Sequence, residues 1–109
     1  MLLHEKIDGI TIVELPVKLN STNDRAFTHE FAQLVEPNAK IVLDLTKVHH
    51  LDSSGLGAMV GCLKQVQTAG GKLMLFGLSK QVRTLFELVR MHHLFDIYNT
   101  RQEAIESLK

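Results

Sequence analysis

The chain has 109 residues, enough for one compact domain built around a single core. An apolar fraction of 45% with 22% charged residues is that of an ordinary globular protein and excludes a disordered chain. Twelve Lys and Arg balance twelve Asp and Glu, so the basic excess expected of a nucleic-acid binder is missing, and anionic membrane is disfavoured with it.

In chain order, residues 2–7 and 10–15 are short apolar-rich runs separated by Asp8-Gly9. Asp-Gly accepts positive φ at both positions and predicts a hairpin. Residues 20–24 are polar and rich in helix-capping types, after which Phe27, Phe31, Leu34 and Val35 recur at helical spacing. This predicts a first helix that stops before Pro37. Residues 41–45, Ile-Val-Leu-Asp-Leu, read as a buried central strand. A second helix opens at residues 52–55 with Leu56, Met59, Val60, Leu63 and Val66 on its inner face, and Ala69-Gly70-Gly71 ends it. Residues 72–76 form the next strand. Ser79 caps a third helix carrying Val82, Leu85, Phe86 and Val89 inward, and a short strand at 95–98 and a helix from about residue 100 complete the order. The predicted fold is α/β, β-β-α-β-α-β-α-β-α. It is a sandwich of about five strands in a mixed, largely parallel sheet with four helices, arranged with the helices on one face or on both.

Cys62 is the single cysteine, which forbids an intrachain disulfide and fits a reducing compartment. Charge enters at Glu5 and Lys6, too early for a signal peptide, and no apolar run approaches the roughly 20 residues that span a bilayer. The expected setting is the cytoplasm.

Chemistry concentrates where the central strand leaves the core, in the run from Leu43 through His49-His50 to Asp52-Ser53-Ser54-Gly55-Leu56-Gly57. Ser53 or Ser54 is placed to cap the second helix, and the glycines permit close approach of backbone, whether to a neighbouring element or to another protein. A hydrolytic reading of Ser53, His49 and Asp52 fails on two counts. Triad members rarely come from immediate neighbours, and no Gly-x-Ser-x-Gly elbow is present. Gly55-Leu56-Gly57 followed by Gly61 misses the dinucleotide fingerprint by one residue, and no acidic partner follows at the required distance. His49-His50 and His92-His93 are adjacent pairs that seldom share an ion, and Cys62 lacks paired ligand spacing. No metal or other cofactor is expected.

The combination resembles the STAS domain family, which includes bacterial anti-sigma-factor antagonists. Val42-Leu43-Asp44-Leu45 followed by Asp52-Ser53-Ser54-Gly55-Leu56-Gly57 carries the likeness. It continues through Gly70-Gly71-Lys72, residues 82–88, Leu94-Phe95-Asp96-Ile97-Tyr98 and Glu103-Ala104. The chain departs from the family where Val17-Lys18-Leu19-Asn20 replaces a Gly-x-Leu-Asp motif, and where Arg90 stands in place of a glycine after the third helix. The resemblance implies one STAS-like domain over residues 1–109 that is not an enzyme. Ser53 would be its phosphorylated residue, an anti-sigma factor with serine kinase activity its partner, and a serine phosphatase the restoring enzyme. Unphosphorylated, the chain would bind the anti-sigma factor and free a sigma factor for transcription.

Asp52, Ser53, Ser54, Gly55, Gly57, Ala58 and Gly61 form the expected partner surface. Asp52 is either a turn and capping residue or a source of negative field beside the phosphate. The small residues of the second helix either admit a partner or pack within the domain. Two alternatives remain at this stage: a STAS subunit of a larger lipid-transport or stress-sensing assembly without phosphorylation, and a small hydrolase or nucleotide-binding enzyme.

Overall fold

The computed structural model describes residues 2–109. The hairpin forms as its turn chemistry dictates: β1 (His4–Ile7) pairs antiparallel with β2 (Ile10–Glu14), and Asp8 and Gly9 take φ of 52° and 79°. β2 then pairs in parallel with β4 (Lys40–Asp44), β4 with β6 (Lys72–Phe76), and β6 with β7 (Asp96–Tyr98). The five-stranded sheet has the order β1-β2-β4-β6-β7.

Alternation along these strands sorts the core into two halves. Val13, Ile41, Leu43, Leu73 and Leu75 face one side, where they meet Phe27 and Phe31 of α1 (Asp24–Ala32), Leu56, Met59, Cys62 and Val66 of α2 (Ser53–Thr68), and Val82 and Phe86 of α3 (Lys80–Leu88). Ile10, Ile12, Val42, Met74 and Phe76 face the other, covered by Ala104, Ile105 and Leu108 at α4 (Arg101–Ser107). The helices are therefore split three to one across the sheet and not massed on one face. Burial on both faces explains why β4 and β6 read as continuous apolar runs.

Three details differ from the sequence expectation. α1 stops at Ala32, because the N–H groups of Gln33, Leu34 and Val35 bond to carbonyls only three residues back and tighten the chain out of α geometry. Leu34 and Val35 still pack against the core from beyond the helix. Val89, expected inside, lies on the surface past the end of α3, whereas Cys62 of α2 is fully buried, as a small hydrophobe would be. A second, two-stranded parallel sheet pairs β3 (Lys18–Leu19) with β5 (His50–Leu51), too short for any periodicity to announce. The starts of α3 and α4 follow expectation. Ser79 Oγ accepts from Val82 N–H at 3.2 Å, and Thr100 with Glu103 closes a capping box on α4.

Arg90 follows α3 in the left-handed region, φ 60°, before a 3-10 turn at Met91–His93. An L side chain there costs roughly 1–2 kcal/mol that glycine avoids. Arg90→Gly is expected to raise stability by about 1 kcal/mol after the entropy of glycine is counted, read as a higher urea midpoint with an unchanged slope. The adjacent His92 and His93 do not splay apart as expected of a strand or loop. On the 3-10 turn their rings lie 4.0 Å centroid to centroid.

Candidate functional site

The run from β4 to α2 is held by three local devices. Asp44 Oδ1 accepts from the Thr46 N–H at 2.8 Å and from its hydroxyl at 2.6 Å, turning the chain out of the sheet. Leu45 and Val48 anchor the loop in the core, and the N–H groups of His49 and His50 both donate to the Val17 carbonyl. β5 then pairs with β3 and delivers Asp52 to the start of α2.

Asp52 is the N-cap of α2: its backbone is extended and its Oδ1 accepts from the Gly55 N–H at 2.9 Å. This corrects the expectation that Ser53 or Ser54 caps. The cap position falls one residue earlier, so Ser53 is the first helical residue and Ser54 the second. Among the described residues neither serine side chain makes a hydrogen bond. Ser53 is exposed and Ser54 half-buried. A free hydroxyl thus stands in solvent at the end of a 16-residue helix, where unpaired N–H groups and the macrodipole favour negative charge.

The glycines divide by role. Gly55 is buried, and a methyl group on it would stand 2.2 Å from the Leu19 carbonyl oxygen and 2.7 Å from Leu51 Cδ1. Its lack of a side chain serves the seating of α2 on the small β3–β5 sheet, so it is not available to a partner as expected. Gly57 and Gly61 have nothing within 4 Å of the place a Cβ would take. Gly57 is exposed, and Ala58 and Gly61 are half-buried on the same helix. Of the seven residues expected at the partner surface, Asp52, Ser53, Ser54, Gly57, Ala58 and Gly61 are accessible together.

Asp52 is committed to its cap, and among the described residues neither it nor His49 bonds to Ser53, so these three form no hydrogen-bonded triad. Gly55 faces the Leu19 carbonyl and leaves no glycine cradle for a nucleotide phosphate. Arg25 and His29 of α1 flank Ser54 and Gly57 across a shallow hollow, and His49, His50 and Gln81 lie on the other side of Asp52. Sequence reasoning missed Arg25, His29 and Gln81, which belong to elements distant in sequence. Among the described residues no group of three or more His, Cys, Asp or Glu is placed to hold a metal ion. A hollow on the opposite face of the sheet is occupied with its own pairing: Arg101 with Glu5, and Lys47 with Glu14 at 3.0 Å. Among the described residues no helix is long and apolar enough to cross a membrane.

Burial pushes the Cys62 thiol up to about 12. The unfolded chain gives up this proton near 9 and the folded chain does not, so the contribution is whole below about pH 9 and is lost as pH rises toward 12. Cys62→Ala should flatten the alkaline fall in stability, measured as urea midpoints over that window.

Residues 2–104 match the family model described as STAS domain. BtrV of Bordetella bronchiseptica, described as a candidate anti-sigma factor antagonist, is 32% identical over 106 residues, covering 96% of this chain and 91% of that protein. The crystal structure of the Thermotoga maritima protein TM1081 superposes with a TM-score of 0.88 at 28% identity, covering 98% of this chain and 93% of that one. SpoIIAA, an anti-sigma factor antagonist known in an unphosphorylated and a phosphorylated form, shares the fold with TM-scores of 0.78 and 0.72. Its identities of 19% and 18% speak to architecture alone, with coverage of 98% and 100% of this chain and 95% and 100% of the SpoIIAA chains. The chain belongs to the STAS domain family, among the anti-sigma-factor antagonists.

Proposed function

We propose that the chain is a phosphorylation-switched anti-sigma-factor antagonist that binds an anti-sigma factor while Ser53 is unmodified and releases it once Ser53 is phosphorylated. The observation that carries this reading is the solvent-exposed, unbonded Ser53 at the first position of α2, with Asp52 already acting as cap. Phosphate would therefore replace no bond that holds the fold. A phosphoserine brings about −1.5 to −2 charge, which the helix end accepts and a docked protein feels as repulsion and desolvation.

In this scheme the anti-sigma factor is a serine kinase, its sequestration frees a sigma factor for transcription, and a serine phosphatase resets the switch. The chain is a kinase substrate in the cytoplasm, without catalysis, cofactor, nucleic acid or membrane of its own. Asp52, Ser53, Ser54, Gly57, Ala58 and Gly61 form the contact surface, and Asp52 adds its charge to that of the phosphate.

The test is calorimetric titration of the purified chain with each serine-kinase anti-sigma factor of its own cell. Tight binding of at least one is expected when Ser53 is unmodified. Failure of all to bind would overturn the proposal.

A further inference from the structure

We propose that the partner lays an acidic, helical segment along the outward seam between α1 and α2, an inference that rests on the reading above. Two shallow hollows follow this seam. Arg25 and His29 of α1 face Gly57 and Ala58 at one end, and Ala32 and Val35 face Lys64 and Thr68 at the other. Between them Gly61 leaves open space. The floor is small and uncharged, which lets a second backbone come close, and the seam runs the length of the 16-residue α2, room for about four turns of another helix.

Charge decides what that helix carries. α2 has no carboxylate, and its one charged residue is Lys64. Among the described residues neither the Arg25 guanidinium nor the Lys64 ammonium has a carboxylate partner. The one acid lining the hollows, Asp24, accepts from the Arg25 backbone N–H at 2.9 Å. The N-terminal end of α2 adds its own positive field. An occupant with Asp or Glu on its inner face is complementary. A second copy of this chain is not, because its seam would set cations against cations. The same arrangement gives the switch its lever: phosphate on Ser53 places negative charge at the mouth of a seam that holds an acidic segment.

The probe is the anti-sigma factor that binds the intact chain in calorimetry. Arg25→Glu with Lys64→Glu should weaken binding by roughly 30-fold or more and flatten its salt dependence, at an unchanged thermal midpoint. Arg25→Lys with Lys64→Arg should bind like the original. A photo-reactive benzoylphenylalanine in place of Thr68, exposed on the rim of the seam, should cross-link to a partner peptide rich in Asp and Glu. Binding that is indifferent to charge reversal overturns this inference and leaves the function standing. So do cross-links to a second copy or to a peptide without acids, or cross-links from Leu88, exposed at the end of α3, with none from Thr68. If no anti-sigma factor binds at all, both fall together.

Discussion

Ser53→Asp is expected to abolish most binding to the anti-sigma factor while leaving the domain folded and at least as stable. The two halves of that result come from the same helix end. At a surface site the N-terminus of a helix stabilises a carboxylate by about 0.3–1 kcal/mol, so the thermal midpoint should hold or rise slightly. In the complex the same charge must be stripped of water against a partner selected to meet an uncharged hydroxyl. A differential of about 3 kcal/mol, a loss of more than a hundredfold in affinity, is the expected scale. Ser54→Asp is the informative control. Ser54 sits one residue further along and is half-buried, so its replacement tests whether the position of the charge matters or only its presence. Titration calorimetry and thermal unfolding on the same samples separate binding from folding. Ser53→Asp binding as tightly as the unsubstituted chain would contradict the switch.

Gly55→Ala carries the largest expected effect on folding. The added methyl would lie 2.2 Å from the Leu19 carbonyl oxygen and 2.7 Å from Leu51 Cδ1, and the first of these is backbone that cannot rotate away. Either β3 shifts, breaking its pairing with β5, or α2 tilts off the core that Leu56 and Met59 fill. Overpacking of this kind costs about 1–3 kcal/mol or more, against up to about 1 kcal/mol returned by the helix preference of alanine. A net loss of about 2 kcal/mol is expected, read as a lowered urea midpoint. Gly57→Ala is the internal comparison. Two residues on, nothing lies within 4 Å, and the substitution should gain stability by up to about 1 kcal/mol. Equal stability of the two variants would show that α2 does not seat against the small sheet as described.

Much of this architecture was legible where a residue type has one local use. Asp8-Gly9 marks the hairpin, Ser79 and Thr100 mark helix starts, and the apolar runs of β4 and β6 mark strands buried on both sides. Legibility failed where several residues compete for one role or where tertiary contacts decide. Asp52, Ser53 and Ser54 are all competent caps, and only the path of β5 selects Asp52. That choice leaves Ser53 unengaged. The side of the sheet taken by α4 depends on Ala104, Ile105 and Leu108 meeting Val42 and Met74, a match between distant segments. Gly55 looked like an invitation to a partner because a glycine's sequence neighbours do not reveal which backbone approaches it. Arg25 and His29 reach the site across space from α1, with no mark in the motif that surrounds Ser53.

The central claim is that the exposed hydroxyl of Ser53 receives phosphate from the protein it binds. The decisive measurement is to incubate the chain with its anti-sigma kinase and ATP, map the phosphate by mass spectrometry, and repeat the titration with the product. The account predicts one phosphate, on Ser53, and a complex that no longer forms. Phosphate on any other residue, or a complex undiminished by phosphate on Ser53, would contradict it.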